Sequence, residues 1–249
     1  MKPLRWCSAV LLLQVSMSCT SSSVAAPTDV GCTTAALKGT YGMQRNGQMK
    51  PGSSLTAVGI ATFDGRGNLV EQQTMSVNGT FSSVTNQATY DVAADCTGTE
   101  TDLNGVAVAR LTMVHGGNEV LGMSLVPSSN VAMHYEKITG ACTVATLTGV
   151  YGFQRNGTTS AGPLLAIGTA TYDGHGNFVA SQITDRNGTF GAPSNQTGTY
   201  AVNPDCTASA SDTTLTVFSQ MVIVNDADEV LGMSMTAGNN VVVHFERVK

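Results

Sequence analysis

Two histidine–glutamate pairs are the residues of this chain best suited to acid–base chemistry. His134 and Glu136 lie two residues apart, and His244 and Glu246 repeat that spacing. Residues two apart on a β-strand point to the same face, so each pair would place an imidazole beside a carboxylate. On a face that lines a cavity, such a pair could bind a polar ligand or transfer protons. The four residues are therefore our catalytic candidates.

The neighbouring residues bear on which way these pairs point. Val131, Met133 and Tyr135 occupy the opposite face of the same predicted strand and have the character of core residues. This alternation favours an outward-facing pair, which would form an ordinary solvated surface. The inward-facing arrangement stays open as the alternative.

Four glutamines could contribute polar groups to the same region. Gln44 and Gln154 belong to a segment expected to lie beside the last strand of each repeat, and Gln73 and Gln182 are kept in both repeats. We take all four as candidates for ligand binding.

Motifs of other chemistries are missing. No three metal ligands are grouped along the sequence, and it contains no Cys-x-x-Cys, Gly-x-Ser-x-Gly, Gly-x-Gly-x-x-Gly or P-loop. The Asp-Gly-x-Gly-Asn motifs that begin at Asp64 and Asp173 are more typical of hairpin turns than of calcium-binding loops, because they lack the additional carboxylates that would coordinate calcium. We expect no metal and no cofactor.

The chain is an internal repeat. Residues 32–138 recur as residues 142–248 with about four residues in ten identical, and the phrase Glu-Val-Leu-Gly-Met-Ser at 119–124 returns unchanged at 229–234. A period of about 110 residues is the size of a small domain rather than of a solenoid unit. We therefore expect a first domain over 32–138 and a second over 142–249.

Each repeat reads as eight short strands joined by hairpin turns. Apolar residues alternate at period two, and Asn-Gly, Asp-Gly or Gly-Gly signals separate the runs. In the first repeat the strands are predicted over 38–46, 55–63, 68–77, 87–92, 97–103, 106–114, 119–126 and 131–138. A meander of this kind loses its exposed edges by closing on itself. The predicted fold is all-β, with two tandem antiparallel up-and-down barrels, one per repeat.

Other β architectures stay open. A sandwich per repeat and one large shared barrel are alternatives, whereas an outer-membrane barrel would need longer strands and aromatic girdles. Closure would place the first strand beside the last. We then expect Arg45 to meet Glu136, and Arg155 to meet Glu246.

Four cysteines support the division into repeats. Cys32 and Cys96 are 64 residues apart, as are Cys142 and Cys206. Three pairings are possible, and the equal spacing favours one disulfide within each repeat. Metal ligation is disfavoured because no histidine or second cysteine lies near any of them.

The N-terminus resembles an export signal. Lys2 and Arg5 precede a short apolar run and a serine-rich stretch, the order found in secretory signal peptides. Cleavage after Ala25 would leave a linker over 26–31, and lipidation of Cys19 is the alternative. We expect an exported, periplasmic or extracellular protein that meets a membrane only through such a lipid anchor.

Charge excludes one class of partner. Removal of residues 1–25 would leave 10 basic against 17 acidic residues, a net charge of −7. An acidic surface repels phosphate backbones, so we expect no nucleic acid partner.

The motifs shared by the two repeats also resemble those of known protein domains. The string Cys-x-x-x-x-Leu-x-Gly-x-Tyr-Gly, then Asp-Gly-x-Gly-Asn, then Tyr-x-Val-x-x-Asp-Cys-Thr, resembles a secreted bacterial domain of unassigned function. The strand pattern is similar to calycin-type barrels, including the allene-oxide-cyclase-like group. That resemblance implies a barrel with an apolar interior, and it does not imply cyclase activity.

These observations favour a non-enzymatic binding protein. The duplicated residues are those of a scaffold, without a duplicated catalytic set, and methionines such as Met113, Met123 and Met221 could line an apolar lumen. The expected partner is a small hydrophobic ligand or a component of the cell envelope. An isomerase or cyclase that uses the barrel lumen, and an envelope or adhesive module, are the alternatives.

Overall fold

The period-two apolar pattern of the first repeat forms eight antiparallel strands, as predicted. The structure is a computed structural model that describes residues 31–249, so the predictions for the signal segment and for Cys19 lie outside it. The strands are β1 (Lys38–Lys50), β2 (Ser53–Asp64), β3 (Asn68–Val77), β4 (Thr80–Val92), β5 (Thr97–Asp102), β6 (Ala107–Val114), β7 (Glu119–Ser124) and β8 (Asn130–Lys137).

The second repeat has the same order with one interruption. Its strands are β9 (Thr148–Thr159), β10 (Gly162–Asp173), β11 (Asn177–Arg186), β12 (Thr189–Phe190), β13 (Ser194–Val202), β14 (Thr207–Ser211), β15 (Val217–Val224), β16 (Glu229–Ser234) and β17 (Asn240–Arg247). β12 and β13 together correspond to β4. They are separated by a segment that contains Pro193, which has no N–H to give to a strand ladder.

The only helical segments over residues 31–249 are three short turns. They are 3-10 turns at His115–Gly117, Val144–Thr146 and Asn225–Ala227. Within this range no helix has the length and apolar character needed to cross a membrane.

Each repeat closes into an eight-stranded antiparallel barrel, so the predicted fold class is confirmed. β1 pairs with β8 in the first barrel, and β9 pairs with β17 in the second. Pairing of β10 with β11 completes the second ring, to which β12 adds a short extra pairing.

The first strand lies beside the last, but the ion pairs predicted across this seam are wrong. Arg45 lies directly opposite Met133, so both point into the barrel, whereas Glu136 points outward. The same register separates Arg155 from Glu246. In both barrels the glutamate pairs with a glycine three positions before the arginine, and an odd offset places the two side chains on opposite faces of the sheet.

Aromatic rings fill the half of each barrel that carries the disulfide. In the first barrel Phe63 meets Tyr41 and Tyr90 edge to face, with ring centroids 5.3 and 5.0 Å apart. In the second, Tyr172 meets Tyr151 and Tyr200 at 5.6 and 5.2 Å. Edge-to-face pairs at these distances add to the stabilisation from burial alone.

The two disulfides form within the repeats, as predicted. Cys32 bonds to Cys96, and Cys142 bonds to Cys206. Each disulfide ties the segment before the first strand of its barrel to the β-turn that precedes β5 or β14. Disulfides of this kind fit an oxidising compartment.

The barrels pack against each other side by side within one compact unit. Val58 of the first barrel packs against Val222, Leu231 and Met233 of the second, and all four are buried. Gln44 adds polar contacts, because its Nε2 donates to the carbonyls of Gly232 and Val243 at 2.9 and 3.0 Å.

Candidate functional site

The lumen of the first barrel holds a charged network. The Arg45 guanidinium contacts the Glu71 carboxylate, and the Tyr135 hydroxyl donates to Glu71 Oε1 at 3.0 Å. Glu100 is buried nearby, and burial together with Glu71 raises the pKa of Glu100 to about 7. The arginine therefore has a carboxylate counterion in Glu71, with a second acidic group close by.

The second barrel keeps the arginine and loses these partners. Strand registers place Arg155 at the position of Arg45, opposite an alanine of the second strand in both barrels. Each of the three partner side chains is replaced by one without a polar group: Glu71 by Ala180, Glu100 by Ala210 and Tyr135 by Phe245.

The smaller side chains leave a cavity in the second lumen. Its volume is about 50 Å³, and both alanines line it. A single water needs about 10–15 Å³ of such volume, so the cavity has room for a few water-sized groups. Its wall is mostly apolar. Five of the apolar residues are aromatic, namely Phe153, Tyr172, Phe178, Phe218 and Phe245, and the polar residues are Arg155, Gln182, Gln196, Ser219 and Ser234.

Arg155 has no counterion among the residues that the structure describes. None of the ion pairs in this range involves it, and its nearest polar contact is Gln182 Oε1, at 3.4 Å from Nη1. Burial, with repulsion from Arg186, lowers the pKa of Arg155. A partly buried guanidinium without a carboxylate is suited to bind an anion, because its planar donors match a carboxylate in a bidentate manner.

The four candidate glutamines divide between the lumens and the outside. Gln182 lines the cavity of the second barrel, and Gln73 is buried in the first, where its Oε1 lacks a hydrogen-bond partner. Gln44 lies on the outer surface, at the contact between the barrels. Gln154 is also on the outer surface and exposed. The sequence could not separate these two groups without knowing the face of each strand.

The histidine–glutamate pairs point outward, as the sequence favoured, and the structure brings both pairs into one cleft between the barrels. The imidazoles of His134 and His244 lie 6.4 Å apart between ring centroids. His134 Nε2 lies 3.0 Å from Glu119 Oε1 and 3.4 Å from Glu136 Oε1. These residues lie outside both lumens, so they cannot serve a reaction inside either barrel.

The acidic neighbours decide the titration of His134. Burial alone would lower the pKa of His134, but Glu136 and Glu119 outweigh burial and raise it. Glu119 and its counterpart Glu229 were not predicted as partners of the histidines. Both belong to the six-residue phrase that is unchanged between the repeats, and that identity was the available signal.

The Asp-Gly-x-Gly-Asn strings form hairpin turns, as expected. Asp64 Oδ1 accepts from the backbone N–H groups of Arg66 and Asn68 at 2.7 and 2.9 Å, and Asp173 does the same in the second repeat. Hydrogen bonds from the asparagine hold the pKa of Asp64 at about 2.

The fold defines a protein of two tandem eight-stranded antiparallel barrels. No family model matches the sequence, and no curated protein is similar to it. Similar solved structures include a protein of unknown function from the DUF3598 family of Nostoc punctiforme, with 12% identity over 86% of this chain and 97% of that one, at a TM-score of 0.27. Kievitone hydratase from Nectria haematococca has 6% identity over 86% and 90% of the two chains, at a TM-score of 0.28. Likenesses this distant carry no function across.

Proposed function

We propose that this protein is an exported binding protein whose second barrel holds a small carboxylate with an apolar tail. The observation that carries the proposal is the cavity beside Arg155, at the place where the first barrel has Glu71 and Glu100. An anion bound there would supply the negative charge that the second barrel lacks.

The shape and chemistry of the lumen define the ligand class. Four phenylalanines and a tyrosine form the wall, whereas Arg155, Gln182 and Gln196 supply the donors. A site that is mostly apolar with a few fixed polar groups is the usual form of a small-molecule pocket. The small volume admits only a few non-hydrogen atoms, which favours a short-chain monocarboxylate such as acetate or propionate over an aromatic acid or a lipid.

The first barrel serves as the scaffold in this proposal. Its lumen already holds a carboxylate in contact with Arg45, so an incoming anion would meet Glu71. One barrel is thus closed by its own side chains, and the other is left open for a ligand.

Export is part of the proposal. It is supported by the two disulfides and by the signal-like N-terminal sequence. The candidate catalytic residues lie outside both lumens, which favours binding over catalysis as the role of the second lumen.

The experiment is isothermal titration calorimetry with acetate and propionate, compared with the neutral ethanol and 1-propanol. We expect the acids to bind at least tenfold more tightly than the alcohols. Arg155→Gln should remove this preference, and Ala180→Glu should remove binding by restoring the internal carboxylate. Ala201→Glu, on the exposed surface of β13, is the matched control and should bind as the wild type does.

Two results would disprove the proposed site. One is equal binding of acids and alcohols by the wild type. The other is undiminished acid binding by a correctly folded Ala180→Glu variant.

A further inference from the structure

Two glutamates lie directly opposite each other on the outer surface of each barrel. Glu119 of β7 faces Glu136 of β8, and Glu229 of β16 faces Glu246 of β17. Like charges in directly opposed positions of an antiparallel pair destabilise the sheet. Both repeats nevertheless keep the pair, which indicates that a cation offsets the repulsion.

His134 stands between the carboxylates of the first pair. The candidate ligand atoms of Glu119, His134 and Glu136 all lie within 4.8 Å of one another. The two glutamate side chains are only 16% and 11% exposed, and their ion-pair partners within residues 31–249 are histidines alone: His134 for both, and His115, whose Nδ1 lies 2.8 Å from Glu119 Oε2. A buried negative charge of this kind needs a compensating positive group.

The distances suit one metal ion. The imidazole nitrogen lies 3.0 and 3.4 Å from the two carboxylate oxygens. Ligand bonds of about 2.0–2.2 Å to a common Zn²⁺ place neighbouring ligand atoms roughly 3–3.5 Å apart. An imidazole with two carboxylates is a donor set for zinc and related divalent transition metals rather than for calcium.

We propose that Glu119, His134 and Glu136 bind one Zn²⁺-type ion in the cleft between the barrels. His244 of the second barrel lies across the cleft and is the candidate for a fourth ligand. The ion would then connect the two barrels. The sequence did not suggest this site because Glu119 and His134 belong to different strands.

Zinc binding is tested on the chelator-treated full-length mature protein by equilibrium dialysis against ZnCl₂, with Co²⁺ absorption spectra as the second readout. We expect one tightly bound equivalent. Glu136→Gln and His134→Ala should each weaken binding at least tenfold. His175→Ala, which removes an exposed histidine of the β10–β11 turn, should leave it unchanged.

Circular dichroism of each variant shows whether it has folded. A wild-type protein that takes up no stoichiometric Zn²⁺ would overturn the proposal and leave protonation of His134 as the cation. Binding that survives both ligand variants would also overturn it.

The contact between the barrels is asymmetric: the surface that the first barrel contributes differs from the surface that the second barrel contributes. This asymmetry supports a separate inference. The outer face of β1 and β2 in the first barrel packs on the outer face of β15 and β16 in the second. Since the repeats share one fold, each face recurs on the other barrel. On the second barrel, the equivalent of the β1–β2 surface is the outer surface of β9 and β10 with the adjoining β12, which we call the β9–β10 face. On the first barrel, the equivalent of the β15–β16 surface is the outer surface of β6 and β7, which we call the β6–β7 face.

The β9–β10 face keeps the apolar residues through which its counterpart on β1 and β2 packs against the second barrel. Ile167 occupies the position of the buried Val58 and is 59% exposed, and Phe190 occupies the position of Phe81 and is 76% exposed. Phe81 packs against the cluster between the barrels. Exposed apolar groups of this kind mark interaction surfaces.

A pair of glycines shows the same relationship. A Cβ atom on Gly42 would lie 2.3 Å from Val224 Cγ1, so the glycine allows the close approach of the second barrel. Gly152 takes the equivalent position on the β9–β10 face, where nothing lies within 4 Å of such an atom.

The β6–β7 face retains the two largest apolar residues of its counterpart. Leu121 and Met123 match Leu231 and Met233, which are fully buried between the barrels. On the β6–β7 face they are 46% and 58% exposed.

We propose that the β6–β7 face of one molecule docks on the β9–β10 face of a second copy of this chain, in the way that the two barrels dock within one chain. The occupant follows from this continuity with the interface already formed. Such a head-to-tail contact builds rings if the rotation closes and filaments if it does not.

Self-association is tested by sedimentation velocity of the full mature chain over a hundredfold range of concentration. We expect the mass of the wild type to rise with concentration. Ile167→Asp and Met123→Asp should each give monomers. Leu215→Asp, which changes an exposed leucine on the β14–β15 hairpin outside both faces, should associate as the wild type does.

A mixture of the two monomeric variants identifies the geometry. Each retains one intact face, so an equimolar mixture should form dimers and nothing larger. A monomeric wild type at all concentrations, or a mixture that stays monomeric, would overturn the proposal.

Discussion

Glu71 contacts the guanidinium of Arg45 in the first barrel, whereas the methyl group of Ala180 occupies the equivalent position beside Arg155 in the second. The two lumens therefore hold the same cation in opposite electrostatic settings. In the first, the arginine and its carboxylate stabilise each other in a buried site. In the second, the arginine bears the cost of desolvation without a partner.

This difference predicts opposite responses to loss of the arginine. Arg45→Met leaves Glu71 buried without a partner and should destabilise the protein by about 3–5 kcal/mol. Arg155→Met removes an uncompensated charge and should change stability by less than about 1 kcal/mol. Urea unfolding followed by circular dichroism measures both. Equal losses in the two variants would show that Arg155 has a partner in solution.

The raised pKa of Glu100 predicts a dependence of stability on pH. The pKa rises from its ordinary value of 4.5 to about 7 in the folded protein because of burial and of Glu71. The folded state therefore binds the proton more tightly than the unfolded state. The contribution of Glu100 to stability should fall as the pH rises from about 4.5 to about 7, and should be constant above that.

Glu100→Gln isolates this effect, because the amide keeps the shape of the neutral acid. Relative to the wild type, the variant should gain about 3 kcal/mol between pH 4.5 and pH 8. Thermal unfolding at several pH values gives the difference. A difference that does not vary with pH would show that the pKa of Glu100 is the same in the folded and the unfolded protein.

The fold was predictable from sequence because its signals are local. Hairpin turns, period-two alternation and two equally spaced cysteine pairs gave eight strands and the correct disulfide in each repeat. In the first repeat, the observed strands differ from the predicted ones in where they begin and end. For example, β4 begins at Thr80, whereas the predicted strand began at residue 87. The polar run from Ser82 to Asn86 hid the first half of that strand.

The sites were harder to predict because they depend on register. Glu136 pairs with Gly42, three positions from Arg45, so the Arg45–Glu136 contact that we predicted does not form, and Arg45 instead contacts Glu71 of β3 inside the barrel. Glu119 and His134 meet only after β7 pairs with β8, and His244 joins them only after the barrels dock. Alignment of the two repeats shows that Ala180 replaces Glu71. That this replacement leaves Arg155 without a carboxylate follows only once both residues are known to face the interior of the barrel.

The glycine pair predicts the strength of the contact between the barrels. Gly42→Ala would press a methyl group against Val222 and Val224, and overpacking of this kind costs about 1–3 kcal/mol. Gly152→Ala meets no atom within 4 Å and should be tolerated in a monomeric sample, with a change below about 1 kcal/mol. Urea unfolding compares the two. An unaffected Gly42→Ala variant would indicate that the barrels separate in solution.

The disulfides predict how far the barrels depend on each other. Each closes a loop of 64 residues, which removes roughly 4 kcal/mol of entropy from the unfolded chain in the loop-closure model. Replacing Cys142 and Cys206 by serine should lower the melting temperature of the second barrel strongly. The first barrel should lose less, because its own disulfide and aromatic core are intact and only the contact through Val58 is affected. Hydrogen exchange followed by mass spectrometry resolves the two barrels within one molecule. Equal loss of protection in both would show that the interface makes them a single cooperative unit.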